Sequence, residues 1–446
     1  MTAKSKVTAS SAAESKRKTP AQPTFFPPEQ QPMVVRLVQS ISHPLARLLY
    51  KLRLSVTETE VGKLRAIDDA RLVYVCNHPT MEDGISLFVF SARIGQMFHY
   101  IVAYEAFKGL MGWFIQKLGC YSIRRGLGDR ASISATLALL KSPRCRLVIF
   151  PEGGCSYQND TIMPFRPGAI QLPMSALAQL AKKAPSLDAV PDMYIVPLSL
   201  KYRYQQSMDR VIEQTLARLE QALNIQPEEN NAYQRLRSVA HQVILAIEAE
   251  ARAKGTVLPE QDDLDWNQRI DRLRDIYIAR CEAALDISPT AGLPIRERVY
   301  KVQAILEDLE ATGAALSAAG DESTVALLSP HPLSTKERSA LYWDTIRLLN
   351  FDAIYDGYVA EAPTQERFLD TLIRLEREVF HIEHAQPKAP RIAHIRVSDP
   401  INLKDYLADY QRDRTGTIER LSQTLHHTMQ SNLEDLSIQF SGNQPL

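Results

Sequence analysis

Residues Arg71–Gly84 read RLVYVCNHPTMEDG, an apolar run that stops at Asn-His-Pro and is followed by two acids. The run Arg71–Cys76 has the length and β-branched content of a buried strand. His78 precedes a proline, which pushes its backbone towards extended geometry, and Pro79 suits the first turn of a helix. The segment therefore predicts a strand feeding directly into a helix over 79–92, with His78 at the junction. On one straight helix, side chains five apart point roughly 140° away from each other. With His78 outside the helix and Asp83 in its second turn, the tilt of helical side chains towards the N-terminus brings the Asp83 carboxylate back to the imidazole. A carboxylate on one ring nitrogen fixes the tautomer and leaves the other nitrogen to act as a general base. The spacing says little by itself: His394 and Asp399 repeat it inside a predicted strand with no turn between them.

Outward from this junction, strand-like runs at Phe98–Ala103, Tyr121–Ile123, Arg146–Phe150 and Met193–Leu200 alternate with helical patterns at 104–118, 129–141 and 170–183. Such alternation predicts an α/β fold with a central, mostly parallel sheet flanked by helices, over 70–204. From 205 to 390 the pattern is amphipathic and helical, as in Asp209–Leu223, Ala232–Ala253, Asp263–Leu285 and Arg296–Leu316. RIAHIRV (Arg391–Val397) then returns to a strand, followed by two helical stretches up to Leu436 within 391–446. Residues 205–390 are read as a helical insertion, with a separate C-terminal helical domain as the alternative. Residues 1–30, rich in Ser, Ala, Lys and Pro, are expected to form a disordered basic tail.

Residues 31–69 are read as an amphipathic helix, over 33–54, and a lead-in. In the helix, apolar positions such as Leu37, Ile41, Leu45 and Leu48 recur at helical spacing beside Arg36, Arg47, Lys51 and Arg53. A basic amphipathic helix of this kind can lie in a membrane interface or pack on a domain. No window offers the ~18 uninterrupted apolar residues of a span. The best contender, Ile85–Ala103, is broken by Arg93, Gln96 and His99. The five cysteines are in no metal-ligand spacing, which argues against a disulfide scaffold or a zinc site. The net charge of zero hides an asymmetry: residues 1–204 hold 26 Lys and Arg against 14 Asp and Glu, and residues 205–446 hold 26 against 38. A basic half of this kind faces an anionic membrane surface or phosphorylated substrate, or is solvated surface. It lacks interleaved aromatics on a recognisable nucleic-acid module, so no nucleic-acid partner is expected.

Three further blocks bear chemistry. GCYSIRRG (Gly119–Gly126) ends a strand in Arg124 and Arg125. FPEGG (Phe150–Gly154) ends a strand in Pro, the acid Glu152 and two glycines, Gly153 among them, at a sheet edge where open α/β folds bind ligands. PFRPGA (Pro164–Ala169) sets Arg166 at a helix start, and guanidinium groups and helix N-termini both favour phosphate.

NHPTMED, GCYSIRR, FPEGG and IVPLSL (Ile195–Leu200), in this order, resemble the glycerolipid acyltransferase family of 1-acylglycerol-3-phosphate and glycerol-3-phosphate acyltransferases. HIRVSDPINLKDY (His394–Tyr406) resembles the closing strand and helix of the same domain. The resemblance implies an O-acyltransferase of phospholipid biosynthesis. His78 would deprotonate an acceptor hydroxyl and Asp83 would partner it, while the hydroxyl attacks a thioester without a covalent enzyme intermediate. Arg125, Glu152 and Gly153 would position the acceptor, Arg125 through its phosphate. The implied donor is acyl-carrier protein or coenzyme A thioester; the acceptor is lysophosphatidic acid or a similar glycerophosphate, with glycerol 3-phosphate or another lysolipid as the alternative. No metal or cofactor is implied, and the expected location is cytoplasmic and peripheral to a membrane. Gly154-Cys155-Ser156 stands where many members continue with Thr-Arg, so Arg166 or Arg124 is expected to substitute, unless the acceptor differs. A non-catalytic lipid-binding scaffold on the same fold is the reading from another class.

Overall fold

The computed structural model describes residues 25–226, 231–258, 264–288, 292–318, 333–351 and 355–441. Its frame is an eight-stranded sheet in the order β1-β7-β6-β2-β5-β3-β4, with β8 also paired to β6. The strands are β1 (Leu52–Ser55), β2 (Arg71–Cys76), β3 (His99–Ala103), β4 (Cys120–Ile123), β5 (Arg146–Ile149), β6 (Met193–Tyr204), β7 (Arg391–Val397) and β8 (Ile401–Asn402). From β6 to β4 every pairing is parallel; β7 and β8 run antiparallel to β6, and β1 is parallel to β7.

β2 is apolar from Leu72 to Cys76 because both of its faces are covered. Val73 and Val75 enter one core, which the helices α5 (Arg130–Lys141), α6 (Gly168–Ala181), α14 (Leu407–Arg412) and α15 (Arg414–Ser441) help to cover. Leu72, Tyr74 and Cys76 enter the opposite core, beneath α1 (Pro32–Tyr50), α2 (Glu58–Arg65) and α3 (Asp83–Ile94). Beside β4, α4 spans Gly109–Lys117.

Between β6 and β7 come α7 (Asp209–Leu223), α8 (Ala232–Ala253), α9 (Trp266–Ala284), α10 (Ile295–Ala318), α11 (Thr335–Phe351), α12 (Tyr358–Glu361) and α13 (Gln365–Val379). They enclose a third core of their own. Tyr204, at the end of β6, is in register with Arg391, at the start of β7, and Gln205 N donates to Pro390 O at 3.2 Å. The helical region therefore leaves and rejoins the sheet at adjacent points, interrupting one antiparallel strand pair.

Four expectations need correction. The helix expected over 33–54 stops at Tyr50, where Lys51 takes the left-handed conformation (φ 51°), and Leu52–Ser55 becomes an edge strand on β7. The helix expected from Pro79 begins at Asp83, because Thr80 and Glu82 are engaged in the turn before it. The stretch 104–118 divides into a 3-10 turn, Tyr104–Phe107, and α4. Finally, part of the expected disordered tail is ordered: Phe26 exchanges two hydrogen bonds with Ser122 beside β4 and stacks on Phe107 at 5.1 Å. Residues 1–24 lie outside the described residues.

Candidate active site

The parallel strands β2 and β5 end side by side, and the loops after them meet. After β2 the chain turns through Asn77, whose side-chain amide bridges to β6: its Oδ1 accepts from Leu200 N (2.7 Å) and its Nδ2 donates to Leu200 O (2.9 Å). This fixes the exit of β2 and hence His78. The His78 ring stacks on Phe150, the residue following β5, with centroids 4.3 Å apart.

His78 Nδ1 lies 2.7 Å from Asp83 Oδ2. Asp83 opens α3 and is fully buried, while the His78 side chain is about one-fifth exposed. The carboxylate is saturated: Oδ2 also accepts from Thr80 N (2.9 Å), and Oδ1 accepts from Thr80 Oγ1 (2.8 Å) and Tyr202 OH (2.7 Å). Four donors converging on it require an acceptor-only group, so the shared proton sits on Nδ1 and Nε2 carries the free lone pair. The turn Pro79–Glu82 produces this meeting by letting Asp83 start the helix and face back. Tyr202 is a participant that sequence reading missed; it lies near the end of β6, past the block IVPLSL, with only its place in a buried strand as a signal. Arg391, from β7, stacks over the Tyr202 ring at 4.4 Å and pairs with Glu82 at 2.7 Å.

Glu152 is differently placed from its expected role at the acceptor. It is buried, and its two oxygens accept from His78 N (2.6 Å) and Met163 N (3.0 Å). Burial pushes its carboxyl up to about 7, against these two bonds and the nearby Arg296 and His78, which act the other way. Glu152 thus clamps the main chain of His78 and acts through it. Gly153 takes a left-handed conformation (φ 74°), and a Cβ there would meet Arg166 Nε at 2.2 Å. The Arg166 side chain therefore lies directly against the turn, and its backbone N donates to Pro151 O at 2.8 Å.

The two adjacent arginines diverge. Arg125 contacts Glu105 (3.2 Å) and faces the ring of Tyr300 from α10 at 4.2 Å; Arg166 faces the same ring at 5.4 Å. Arg124 turns elsewhere, its guanidinium pairing with Asp308 and its backbone N with Asp129, so of the two expected substitutes only Arg166 reaches the turn. Arg296 and Tyr300 come from the helical region, where sequence reading placed no site residue. The decoy behaves as expected: Asp399 pairs with Lys63, and burial lowers His394 to about 4.

A family model described as Acyltransferase matches residues 56–201. That segment is an acyltransferase domain. The match takes in α2 to α6 and most of β6, and therefore His78, Asp83, Arg125, Glu152 and Arg166. It stops short of Tyr202 and excludes the helical region that supplies Arg296 and Tyr300. No match to the chain is found among curated proteins. Among the described residues there is no group of three or more His, Cys, Asp or Glu able to hold a metal ion, and no helix is long and apolar enough to cross a membrane.

Proposed function

We propose that the acyltransferase domain moves a fatty acyl group from a thioester of acyl-carrier protein or coenzyme A to a hydroxyl of lysophosphatidic acid or a similar glycerophosphate, with His78 as the general base. The observation that carries this reading is the 2.7 Å contact between His78 Nδ1 and the buried, saturated Asp83 carboxylate, with Nε2 left free. In the step proposed, Nε2 takes the acceptor's hydroxyl proton as its oxygen attacks the thioester carbonyl. The C–S bond then breaks, and the leaving thiolate takes the proton back from the imidazolium. Asp83 stabilises that imidazolium, and Arg125 and Arg166 bind the acceptor's phosphate.

The protein is also proposed to work at a membrane surface. In α1 the buried positions include the polar Gln39 and Ser42, while Met33, Leu37, Ile41 and Leu48 are at least half exposed. Gln31 N donates to Lys117 O at 2.9 Å, which brings the start of α1 beside the end of α4, a helix on which Leu110, Met111 and Trp113 are also exposed. Two adjoining helices with outward apolar faces suit a lipid interface.

The test is acyl transfer by purified protein and by His78→Ala, using lysophosphatidic acid and glycerol 3-phosphate. Loss of turnover in the variant on an acceptor used by the wild type is expected; wild-type turnover in the variant would sink the assignment.

A further inference from the structure

Gly154 and Cys155 follow Gly153 in the turn after β5, and the helical region packs against Gly154. A Cβ on Gly154 would lie 2.0 Å from Tyr300 OH, so a threonine there and a tyrosine at 300 exclude each other. Arg296, one helical turn before Tyr300 on the same face of α10, donates from Nη1 to Gly154 O at 3.0 Å. Gly126, which closes the second block, is also needed by α10: a Cβ there would meet Lys301 N at 2.2 Å. The glycines in both blocks thus let one helix of the insertion close onto the acyltransferase domain and set a guanidinium beside the turn.

We infer that the acceptor site is composite: Arg296 of the insertion binds the acceptor's phosphomonoester together with Arg125 and Arg166, and Tyr300 positions these two arginines. The inference rests on the proposed reading that the acceptor carries a phosphate. Both guanidiniums lie over the Tyr300 ring, whose negative face orders them. A Cβ built on Gly154 would meet both the Tyr300 hydroxyl (2.0 Å) and Arg296 Nη1 (3.5 Å), which brings the Arg296 guanidinium to the same tyrosine that Arg125 and Arg166 face. Glu105 pairs with Arg125 at 3.2 Å, and Glu297 lies 3.8 Å from Arg166. Burial and the neighbouring Glu105 both push the Glu307 carboxyl up from its ordinary range. Clustered guanidiniums of this kind gain most from a dianion that several of them can grip at once.

The experiment is calorimetric titration of the full-length protein with glycerol 3-phosphate and with inorganic phosphate, alongside acyl-transfer kinetics on glycerol 3-phosphate and lysophosphatidic acid. Arg296→Gln is expected to weaken binding of both probes by about tenfold or more, and to raise the acceptor KM in proportion with little change in kcat or donor KM. Arg296→Lys, which keeps the charge at a buried position, should fall between it and the wild type. Glu297→Gln removes a competing carboxylate from a half-exposed site and should tighten binding roughly two- to fivefold. Tyr300→Leu should raise the acceptor KM without lowering kcat, and Tyr300→Phe should restore it. Wild-type affinity in folded Arg296→Gln and Arg296→Lys, or a wild-type protein that binds neither probe, would overturn the composite site. The two readings fail separately. Phosphate binding through Arg296 without acyl transfer to either acceptor sinks the proposed function alone, and acyl transfer with an acceptor KM unchanged in Arg296→Gln sinks this inference alone.

Discussion

Replacing Asp83 by asparagine separates charge from geometry at the proposed base. Alanine would leave Thr80 N and Tyr202 OH facing a void in a fully buried site, and any loss could be blamed on collapse. Asparagine is nearly isosteric, and the contacts of Asp83 sort well for it. Oδ2 receives the backbone N of Thr80, a donor that cannot reverse, so the amide oxygen belongs there and keeps His78 Nδ1 as its second donor. Oδ1 receives only hydroxyls, from Thr80 and Tyr202. Both can rotate and accept from the amide NH2, and Tyr202 OH can then donate to Ser86 Oγ, 2.7 Å away. The arrangement should survive with its negative charge gone. What is lost is the charge-assisted part of the hydrogen bond to an imidazolium, about 1.5–3 kcal/mol, which lowers kcat/KM by about 10- to 150-fold. The assay is steady-state acyl transfer, with thermal melting to show that the variant is folded. Asp83→Asn with more than about a third of wild-type kcat/KM, at unchanged melting temperature, would refute the argument that the carboxylate stabilises charge on His78.

Other perturbations follow from the same contacts. Burial raises Glu152 from 4.5 to about 7, so its contribution to stability is full below 4.5 and is lost as pH rises through 7. Wild type should lose roughly 2–3 kcal/mol between pH 5 and 8 that Glu152→Gln does not lose, read as the difference between their urea-unfolding profiles. Because glutamine can accept from only one of His78 N and Met163 N, the same variant should also transfer acyl groups more slowly. The triple change Leu37→Ser, Leu48→Ser and Trp113→Ser removes exposed apolar groups, so binding to phosphatidylglycerol-containing vesicles should fall by at least about tenfold in co-sedimentation while the melting temperature holds. Arg374 of α13 is buried and donates to Ser156 O (3.1 Å) and Tyr157 O (2.6 Å). Arg374→Met should lower the local opening free energy of this loop by about 1.5–3 kcal/mol, seen as faster amide exchange around residues 155–159.

The sheet is legible in the sequence where a strand's pattern matches its burial. Arg71–Cys76, parallel to both neighbours, has the bounds that its apolar run predicts, and Arg391–Val397, antiparallel to β6, has those that its alternating pattern predicts. The short edge strand Leu52–Ser55 was hidden because it continues the helical spacing of the preceding segment; only the reversal at Lys51 separates them. At the site, the His78–Asp83 meeting was readable because all of its parts lie within six residues. Glu152 is visible in the sequence as an acid on a turn, but nothing local shows that the distant backbone N–H of His78 and the nearby one of Met163 take both its oxygens. Tyr202, Arg296 and Tyr300 are contributed across long stretches of chain, and no local pattern marks them.

The helical region looks separable by topology and by packing: it enters and leaves at adjacent residues and encloses its own core. Its polar contacts argue the other way, because they gather on one loop of the acyltransferase domain. Arg296 holds Gly154 O, Arg374 holds Ser156 O and Tyr157 O, and Asp370 accepts from Asn159 N at 2.9 Å. Arg367 pairs with Asp160 at 2.8 Å, which Lys201 of β6 also holds. The same loop returns to the turn at His78, for Ser156 N donates to His78 O at 2.8 Å. A loop carrying so many main-chain groups would otherwise satisfy them with water and remain mobile. The insertion therefore acts on the site in two physical ways, supplying side chains beside the arginines and fixing the segment against which His78 is set. A scaffold that merely displayed a partner surface would have no reason to spend its buried arginines on that loop.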